Sequence, residues 1–275
     1  MTFDISILIV NYNSQFFVKE CIESIIVQQT KASVQLIISD DYSNDKSIQI
    51  IKECLKEPIY WLKDVQVAEN KSNIGCYCNM LSGLKLCTGK YIAYLEGDDY
   101  WSSPTKLQDQ WEFLEANPQY NGIGTGCKFI NETGETIDQK WYMLDEHKTL
   151  NNRDLWAFPP FQTSTFMFRK SALPILPNYF KKTTTNDKIL FALLTLNKPI
   201  YYNPEKTTNY RFHEDNITSK SSTLANTLYR PIYTNVLLLR YVGLKGIRGF
   251  TTSLVKFIIN ALRIAFNRAK GTLKQ

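Results

Sequence analysis

ISILIVNYN (residues 5–13) decides the fold: an unbroken apolar, β-rich run, Ile5–Val10, stops abruptly at the polar Asn11-Tyr12-Asn13. A strand reads this way when both of its faces are covered and neither meets water. Working outward, Phe17–Gln29 carries Val18, Cys21, Ile22, Ile25 and Ile26 at helical spacing. Val34–Ser39 is predicted as a second strand, Lys46–Lys56 as a helix with Ile48, Ile51 and Leu55 inward, and Val65–Ala68 as a third strand. A helix over Cys76–Cys87 and a strand over Tyr91–Leu95 follow. Strands alternating with helices at this interval form βαβ units, so the fold class is α/β, with a mainly parallel, Rossmann-like central sheet flanked by helices. Beyond Asn117-Pro118 the pattern loosens into strands at Gly122–Ile130, Thr163–Arg169 and Ile200–Arg211, a turn at Asn131–Gly134 and a helix at Asp187–Leu196.

Open α/β sheets bind ligands outside the carboxyl ends of their strands. Three such ends are polar here: Asn11-Tyr12-Asn13, Asp40-Asp41 and Glu96–Asp99. The last lies in AYLEGDDYW (residues 93–101), with three carboxylates within four positions. A helix cap needs only one acid, and Ser102 or Ser103 before Pro104 already suits that place. A hard divalent cation with oxygen ligands, Mg²⁺ or Mn²⁺, explains the cluster better. Asp40-Asp41 in LIISDDYSND (residues 36–45) admits two readings. Either it belongs to a turn that Asp45 completes as the next helix starts, or it accepts hydrogen bonds from a nucleobase or ribose. No G-x-G-x-x-G follows the first strand and no Walker A lysine motif occurs, so the dinucleotide and P-loop readings lose support.

Taken in order, ISILIVNYN, LIISDDYSND, NKSNIGCYCN (residues 70–79) and GKYIAYLEGDDYW (residues 89–101) resemble the family 2 glycosyltransferases of the GT-A fold, over roughly residues 3–215. The resemblance implies a GT-A domain at 1–215, with a nucleotide-sugar-binding half (1–117) and an acceptor half (118–215). It also implies inverting transfer of a sugar from a nucleotide diphosphate donor, UDP by default, to a hydroxyl of a glycan or lipid-linked acceptor. Carried over, Tyr12 stacks on the base and Asp41 accepts its ring N–H, with Asp40, Val10, Asn73, Asn79 and Gly97 in the same pocket. Glu96-Gly97-Asp98 stands at the family's D-x-D motif, which makes Asp98 the first metal ligand and Glu96 a second. Asp99 faces the donor sugar or metal.

In the second half, Asp187 stands where relatives place the catalytic base, although an Asp in a first helical turn also simply complements the helix dipole. Tyr210-Arg211-Phe212-His213 resembles the closing motif, with His213 a third metal ligand or diphosphate contact and Arg211 a phosphate contact; a structural histidine is the alternative. Two departures stand out: Glu at position 96 is one methylene longer than Asp, and Cys78 occupies a place where many members carry Arg. Two rival functions follow from the residues. A nucleotide-sugar binding protein with a degenerate site is one. A sugar-phosphate nucleotidylyltransferase is the other, though VNYNSQFF (residues 10–17) lacks the Gly-rich basic loop of that class.

Residues 216–275 carry ten Lys/Arg and no Asp/Glu, leaving 22 basic against 26 acidic side chains elsewhere. Within this basic tail, LVKFIINALRIAFNRAK (residues 254–270) places Lys256, Asn260, Arg263, Asn267 and Lys270 on one helical stripe, the rest being mostly apolar. That pattern fits a helix lying on an anionic membrane surface. It also fits a helix packed on its own domain or on a second subunit of a homo-oligomer. No nucleic-acid module or stacking platform is present, so nucleic acid is not expected as a partner. No signal-like segment precedes the first strand, and the six cysteines form no C-x-x-C pair. Reduced thiols and a cytoplasmic location, peripheral on the inner face of the plasma membrane, are therefore expected.

Overall fold

The structure is a computed structural model that describes residues 2–138, 143–157, 159–176, 180, 186–213, 224–243, 247, 249–255 and 258–259. Its elements run β1 (Ile5–Asn11), α1 (Val18–Ile26), β2 (Val34–Asp40), α2 (Ser47–Cys54), β3 (Leu62–Glu69), α3 (Cys76–Leu86) and β4 (Tyr91–Glu96). They continue β5 (Tyr100–Trp101), α4 (Lys106–Ala116), β6 (Gly122–Ile130), β7 (Lys148–Leu150), α5 (Asn152–Ala157), β8 (Met167–Arg169), α6 (Asn186–Leu194), β9 (Ile200–Arg211) and α7 (Leu224–Val242).

All nine strands join one sheet in the order β3-β2-β1-β4-β8-β6-β9-β5, with β7 also pairing β9. The first four are parallel, as the alternating pattern requires. In the second half only β6–β9 is parallel, and β4–β8, β6–β8, β5–β9 and β7–β9 are antiparallel. Two of the antiparallel strands, β5 and β7, are too short to leave a periodic signal.

Alternation along β1 and β2 sends side chains to opposite faces. Ile5, Ile7 and Ile9 with Val34, Leu36 and Ile38 pack beneath α1, α2 and α4. Leu8 and Ile37 face the other way, into a second core with α3, α5 and α6. Fully burying each such side chain is worth about 1.5–3 kcal/mol, so the central strands anchor both layers. α1 contributes Val18, Cys21, Ile22 and Ile25, all fully buried, at the spacing that marks its inner face.

Two local expectations change. Thr163–Arg169 is a 3₁₀ turn, Thr163–Thr165, before the short β8. The Thr165 hydroxyl and N–H both donate to the Gln162 carbonyl, at 2.7 and 3.0 Å, which curls the chain before it can extend. Pro104 lies in the turn ahead of α4, whose cap position is Thr105, two residues later than the sequence implies.

Part of the C-terminal region packs on the rest of the fold. Leu238 of α7 is fully buried in the core shared by α5 and α6, with Leu237, Tyr241, Val242 and Phe250 beside it. Tyr241 packs edge-on against Phe180 and donates its hydroxyl to Ile175 O at 2.5 Å. The polar stripe from Lys256 to Lys270 lies outside the described residues. Among the described residues, no helix is long and apolar enough to cross a membrane. All six cysteines are free thiols.

Gly89 marks the closest backbone approach at the sheet's lower end. Its N–H donates to Ser6 Oγ at 2.8 Å, and an added Cβ would lie 2.6 Å from Ile5 C and closer still to Ser6 N. Neither neighbour is a flexible side chain, so Gly89→Ala is expected to cost about 1–3 kcal/mol, as overpacking does. Chemical denaturation should show a lower midpoint with an unchanged slope.

Candidate active site

The carboxyl ends of β1, β2 and β4 are stitched into one rim. Asn11 O accepts from Asp41 N at 2.9 Å, Asn11 Nδ2 donates to Asp40 Oδ2 at 2.7 Å, and Gly97 N donates to Val10 O at 3.0 Å. A Cβ on Gly97 would strike Asn11 Oδ1 and come within 3.1 Å of Ser14 Oγ, so only glycine lets the acidic turn lie this close to β1. Asn13 and Tyr42, on the two neighbouring loops, take left-handed backbone angles (φ 50° and 64°). Asn44 N donates to Asn13 Oδ1 and Asn13 N donates to Ser43 Oγ, which ties these loops together. Tyr12 and Tyr42 are exposed there. Tyr42 is an aromatic that the sequence reading passed over.

Glu96, Asp98 and Asp99 each place a carboxylate oxygen within 4.8 Å of the others. Burial drives the Glu96 carboxyl well above its ordinary value, and the charges of Asp98, Asp99 and Asp187 push it the same way. Burial, then Asp98, raises Asp99 as well, against the hydrogen bonds it accepts. Those bonds come from Ser164 Oγ to Oδ2 at 2.5 Å and from Arg211 N to Oδ1 at 2.9 Å. Asp98 accepts from or shares a proton with His213 Nε2 through Oδ2 at 2.9 Å, while its Oδ1 has no hydrogen bond among the described residues. Glu96 and Asp98 thus offer oxygens to a hard divalent cation, and a cation would relieve their mutual repulsion. The donor set fits Mn²⁺ or Mg²⁺.

Asp187, in the first turn of α6, is half-buried, and its charge reaches Glu96. Burial raises its carboxyl, while the N–H groups at its helix start and the Lys188 ammonium draw it back down.

Several of the expected site residues make hydrogen bonds within the protein. The Arg211 guanidinium is 2 % exposed and donates to Asp98 O (3.1 Å), Asn131 O (3.3 Å), Glu132 O (3.0 Å) and the Glu20 carboxylate. It also lies over the rings of Phe17 and Tyr100. These donors reach protein acceptors that hold the acidic turn. Asn79 is buried and joins Ser39, accepting its hydroxyl at 2.7 Å and donating to its carbonyl at 2.9 Å, so it fastens α3 to β2. Asp40 is likewise taken by Asn11 and by Ser43, whose N–H and hydroxyl donate at 2.8 and 2.6 Å. Asp41 accepts from Ile74 N and Gly75 N, both at 2.8 Å, and from Asn70 Nδ2 at 3.2 Å, which fixes the start of α3 beside the rim. Asn73 is exposed on that same loop. Asp45 accepts from Ser47 N at 2.9 Å and supplies the turn into α2.

Ser164, Glu20 and Asn11 belong to the site and were not singled out as site residues from the sequence. Ser164 had a signal in the Thr163–Arg169 segment. Glu20 had none, being one more exposed acid on α1.

The structure thus combines an α/β sheet, an acidic turn at the end of β4 and a further carboxylate, Asp187, on a later helix. The chain belongs to glycosyl transferase family 2, whose model matches residues 6–175. It is 34% identical over 116 residues to the Escherichia coli UDP-Glc:alpha-D-GlcNAc-diphosphoundecaprenol beta-1,3-glucosyltransferase WfaP, covering 40% of this chain and 41% of that one. In fold it is similar to S. aureus TarS 1–349 in complex with UDP-GlcNAc, with a TM-score of 0.70 and 18% identity over 94% of this chain and 72% of that one. The mannosyltransferase PcManGT from Pyrobaculum calidifontis, in complex with GDP-Man and Mn²⁺, gives a TM-score of 0.65 at 13% identity over 99% of this chain and 80% of that one. The chain spans about half the length of the curated relatives it matches.

The raised Glu96 carboxyl carries a consequence for stability. An acid whose folded pKa exceeds its ordinary 4.5 binds protons on folding, so it weakens the fold as pH rises from 4.5 through the folded value. Without metal, Glu96→Gln is expected to melt higher than the parent at pH 7–8, with the gap closing toward about pH 4, where both side chains are neutral. Melting curves across pH in chelator, then with Mn²⁺, measure this; Mn²⁺ should stabilise the parent more than the variant.

Proposed function

We propose that the chain is an inverting, metal-dependent glycosyltransferase that moves a sugar from a UDP-sugar to a hydroxyl of a glycan or lipid-linked acceptor in surface polysaccharide synthesis. The observation that carries this reading is the cluster of Glu96, Asp98 and Asp99 carboxylates at one sheet rim, where the charge of Asp187 also acts on Glu96. The names of WfaP and of the TarS and PcManGT complexes support a nucleotide-sugar donor.

Tyr12, half exposed at the end of β1, offers a face to the base. Asp41 Oδ2, which takes only the Gly75 N–H, is the oxygen left to accept a base N–H. Asp98, with Glu96 and with His213 as third ligand or diphosphate contact, would hold Mn²⁺ or Mg²⁺, whose charge offsets that growing on the leaving diphosphate. Asp99 keeps the turn in place from below and presents its carboxylate edge toward the sugar. Asp187 takes the acceptor proton as the acceptor oxygen bonds to the anomeric carbon and the bond to the diphosphate breaks. Its raised carboxyl suits it to hold that proton, and a positioned base contributes about 10²–10⁴-fold.

Asp187→Asn is therefore expected to lose about 10²–10⁴-fold in turnover while keeping the thermal shift given by UDP-sugar and Mn²⁺. Asp98→Ala is expected to lose both the shift and turnover. Wild-type transfer by either variant overturns its assignment. A product that retains the donor's anomeric configuration overturns the inverting route.

A membrane role accompanies this reading: Val236, Ile247, Leu254, Val255, Ile258 and Ile259 are exposed in a region without acids. An anionic membrane surface, the inner face of the plasma membrane, would receive them. Because α7 is part of the core, point changes test this better than truncation. Ile258→Glu with Ile259→Glu is expected to weaken flotation with phosphatidylglycerol vesicles at least several-fold without changing the melting temperature. Unchanged flotation removes the membrane assignment.

A further inference from the structure

Ser164 Oγ stands between the two ends of the acidic turn. It accepts the Glu96 N–H at 3.2 Å and donates to Asp99 Oδ2 at 2.5 Å. One hydroxyl serves both partners only from one place, and a shift of about 1 Å breaks one of the two bonds. The exit of its 3₁₀ turn fixes that place, because a helical turn leaves its last carbonyls without partners of its own. Trp101 Nε1 donates to Ser164 O at 2.9 Å. The next carbonyl, Thr165 O, takes two donors, Lys106 Nζ at 2.8 Å and Gln110 Nε2 at 2.9 Å. Lys106 and Gln110 sit one turn apart on α4 and are joined to each other, Lys106 Nζ donating to Gln110 Oε1 at 2.8 Å. The Lys106 ammonium also lies 5.6 Å from the centre of the Trp101 ring, over the side chain that holds Ser164.

Packing alone does not call for an amine at this position. Lys106 is 1 % exposed, and among the described residues it forms no ion pair. Asp109 on the same helix is exposed and takes the Thr105 hydroxyl at 2.7 Å, and Glu205 is exposed as well. A buried ammonium without a paired anion is costly, and an apolar side chain of the same length avoids that cost. Gln110 alone would give Thr165 O a partner. What Lys106 adds is direction: two donors on one helix face fill both lone pairs of the carbonyl and hold it against rotation, one residue after Ser164. This grip comes from the layer of α4, on the opposite face of the sheet from α6.

We propose that Lys106 is a positioning residue for the transfer reaction: with Gln110 it grips the Thr165 carbonyl and so keeps Ser164 Oγ between the Glu96 N–H and the Asp99 carboxylate. The inference rests on the reading of the 96–99 turn as the donor-binding turn. It gives α4 a part in the geometry of the site as well as in packing.

The test is a double-mutant cycle in the full chain, read first without metal or donor through hydrogen exchange of the Glu96 amide, whose proton goes to Ser164. Ser164→Ala should speed that exchange about tenfold and Lys106→Met about three- to tenfold, as loss of one hydrogen bond does. The double variant should exchange like Ser164→Ala alone, because Lys106 acts only through the hydroxyl that is gone. The second reading is kcat and KM for UDP release from UDP-glucose or UDP-N-acetylglucosamine with Mn²⁺. In Lys106→Met kcat should fall about tenfold with donor KM within about twofold, as a small misplacement at a reacting centre does. A Glu96 amide that exchanges at the parent rate in Lys106→Met overturns the proposal. Effects that multiply in the double variant overturn it too, being the mark of general loosening, as does parent-like kcat in Lys106→Met. If Lys106→Met fails to fold, Gln110→Met takes its place in the same cycle with the same outcomes. A parent whose melting is unmoved by UDP with Mn²⁺ overturns the donor reading and the claim on turnover together. An unmoved Glu96 amide beside a parent that binds UDP overturns this inference alone.

Discussion

Repulsion between carboxylates organises this molecule. Glu96, Asp98 and Asp99 are consecutive or nearly so, and Asp187 approaches them from another element. Left alone, such a group would splay apart or take up protons. The fold prevents splaying by fixing Asp99 from below. Ser164 and the Arg211 backbone hold its two oxygens, and the Arg211 side chain grips the Asp98 carbonyl. Charge that cannot relax away stays available for a ligand that needs it.

The two halves of the sheet divide this task. The parallel half, β3-β2-β1-β4, supplies the rim and the two loops that carry Tyr12 and Tyr42. The second half supplies restraint: the 3₁₀ turn brings Ser164, the end of β9 brings Arg211 and His213, and α6 brings Asp187. The β4–β8 pairing joins the halves through only three residue pairs, Tyr91–Arg169, Ile92–Phe168 and Ala93–Met167. Arg169 reinforces that seam, donating to Tyr120 O and the Tyr91 hydroxyl, both at 2.8 Å.

Much of this was legible in the sequence, for physical reasons. Fully buried strands such as Ile5–Asn11 leave unbroken apolar runs, so the parallel half could be read almost to its ends. The acid cluster at 96–99 was legible because three adjacent carboxylates have no structural need. Short or polar elements were not. β5 and β7 have two and three residues, and the Thr163–Thr165 turn depends on a hydroxyl bond to Gln162 that periodicity does not reveal. The internal hydrogen bonds of Arg211 and Asn79 were not legible for a shared reason: sequence places a polar residue at a rim but does not tell which way its donors point. Asp187 was singled out by family pattern and by no local signal, and the Lys188–Ser253 contact spans 65 positions.

The Arg211–Asp99 contact spans 112 residues and the Arg211–Glu20 contact 191. During synthesis the parallel half can leave the ribosome and collapse long before Arg211 is polymerised, since domains tend to form N-terminal parts first. In that interval the acidic turn lacks its lower support, and its charges are free to move apart. A nascent chain therefore carries the rim before the turn beside it is held, and the site reaches its final geometry only once β9 has been made and Arg211 has closed on it.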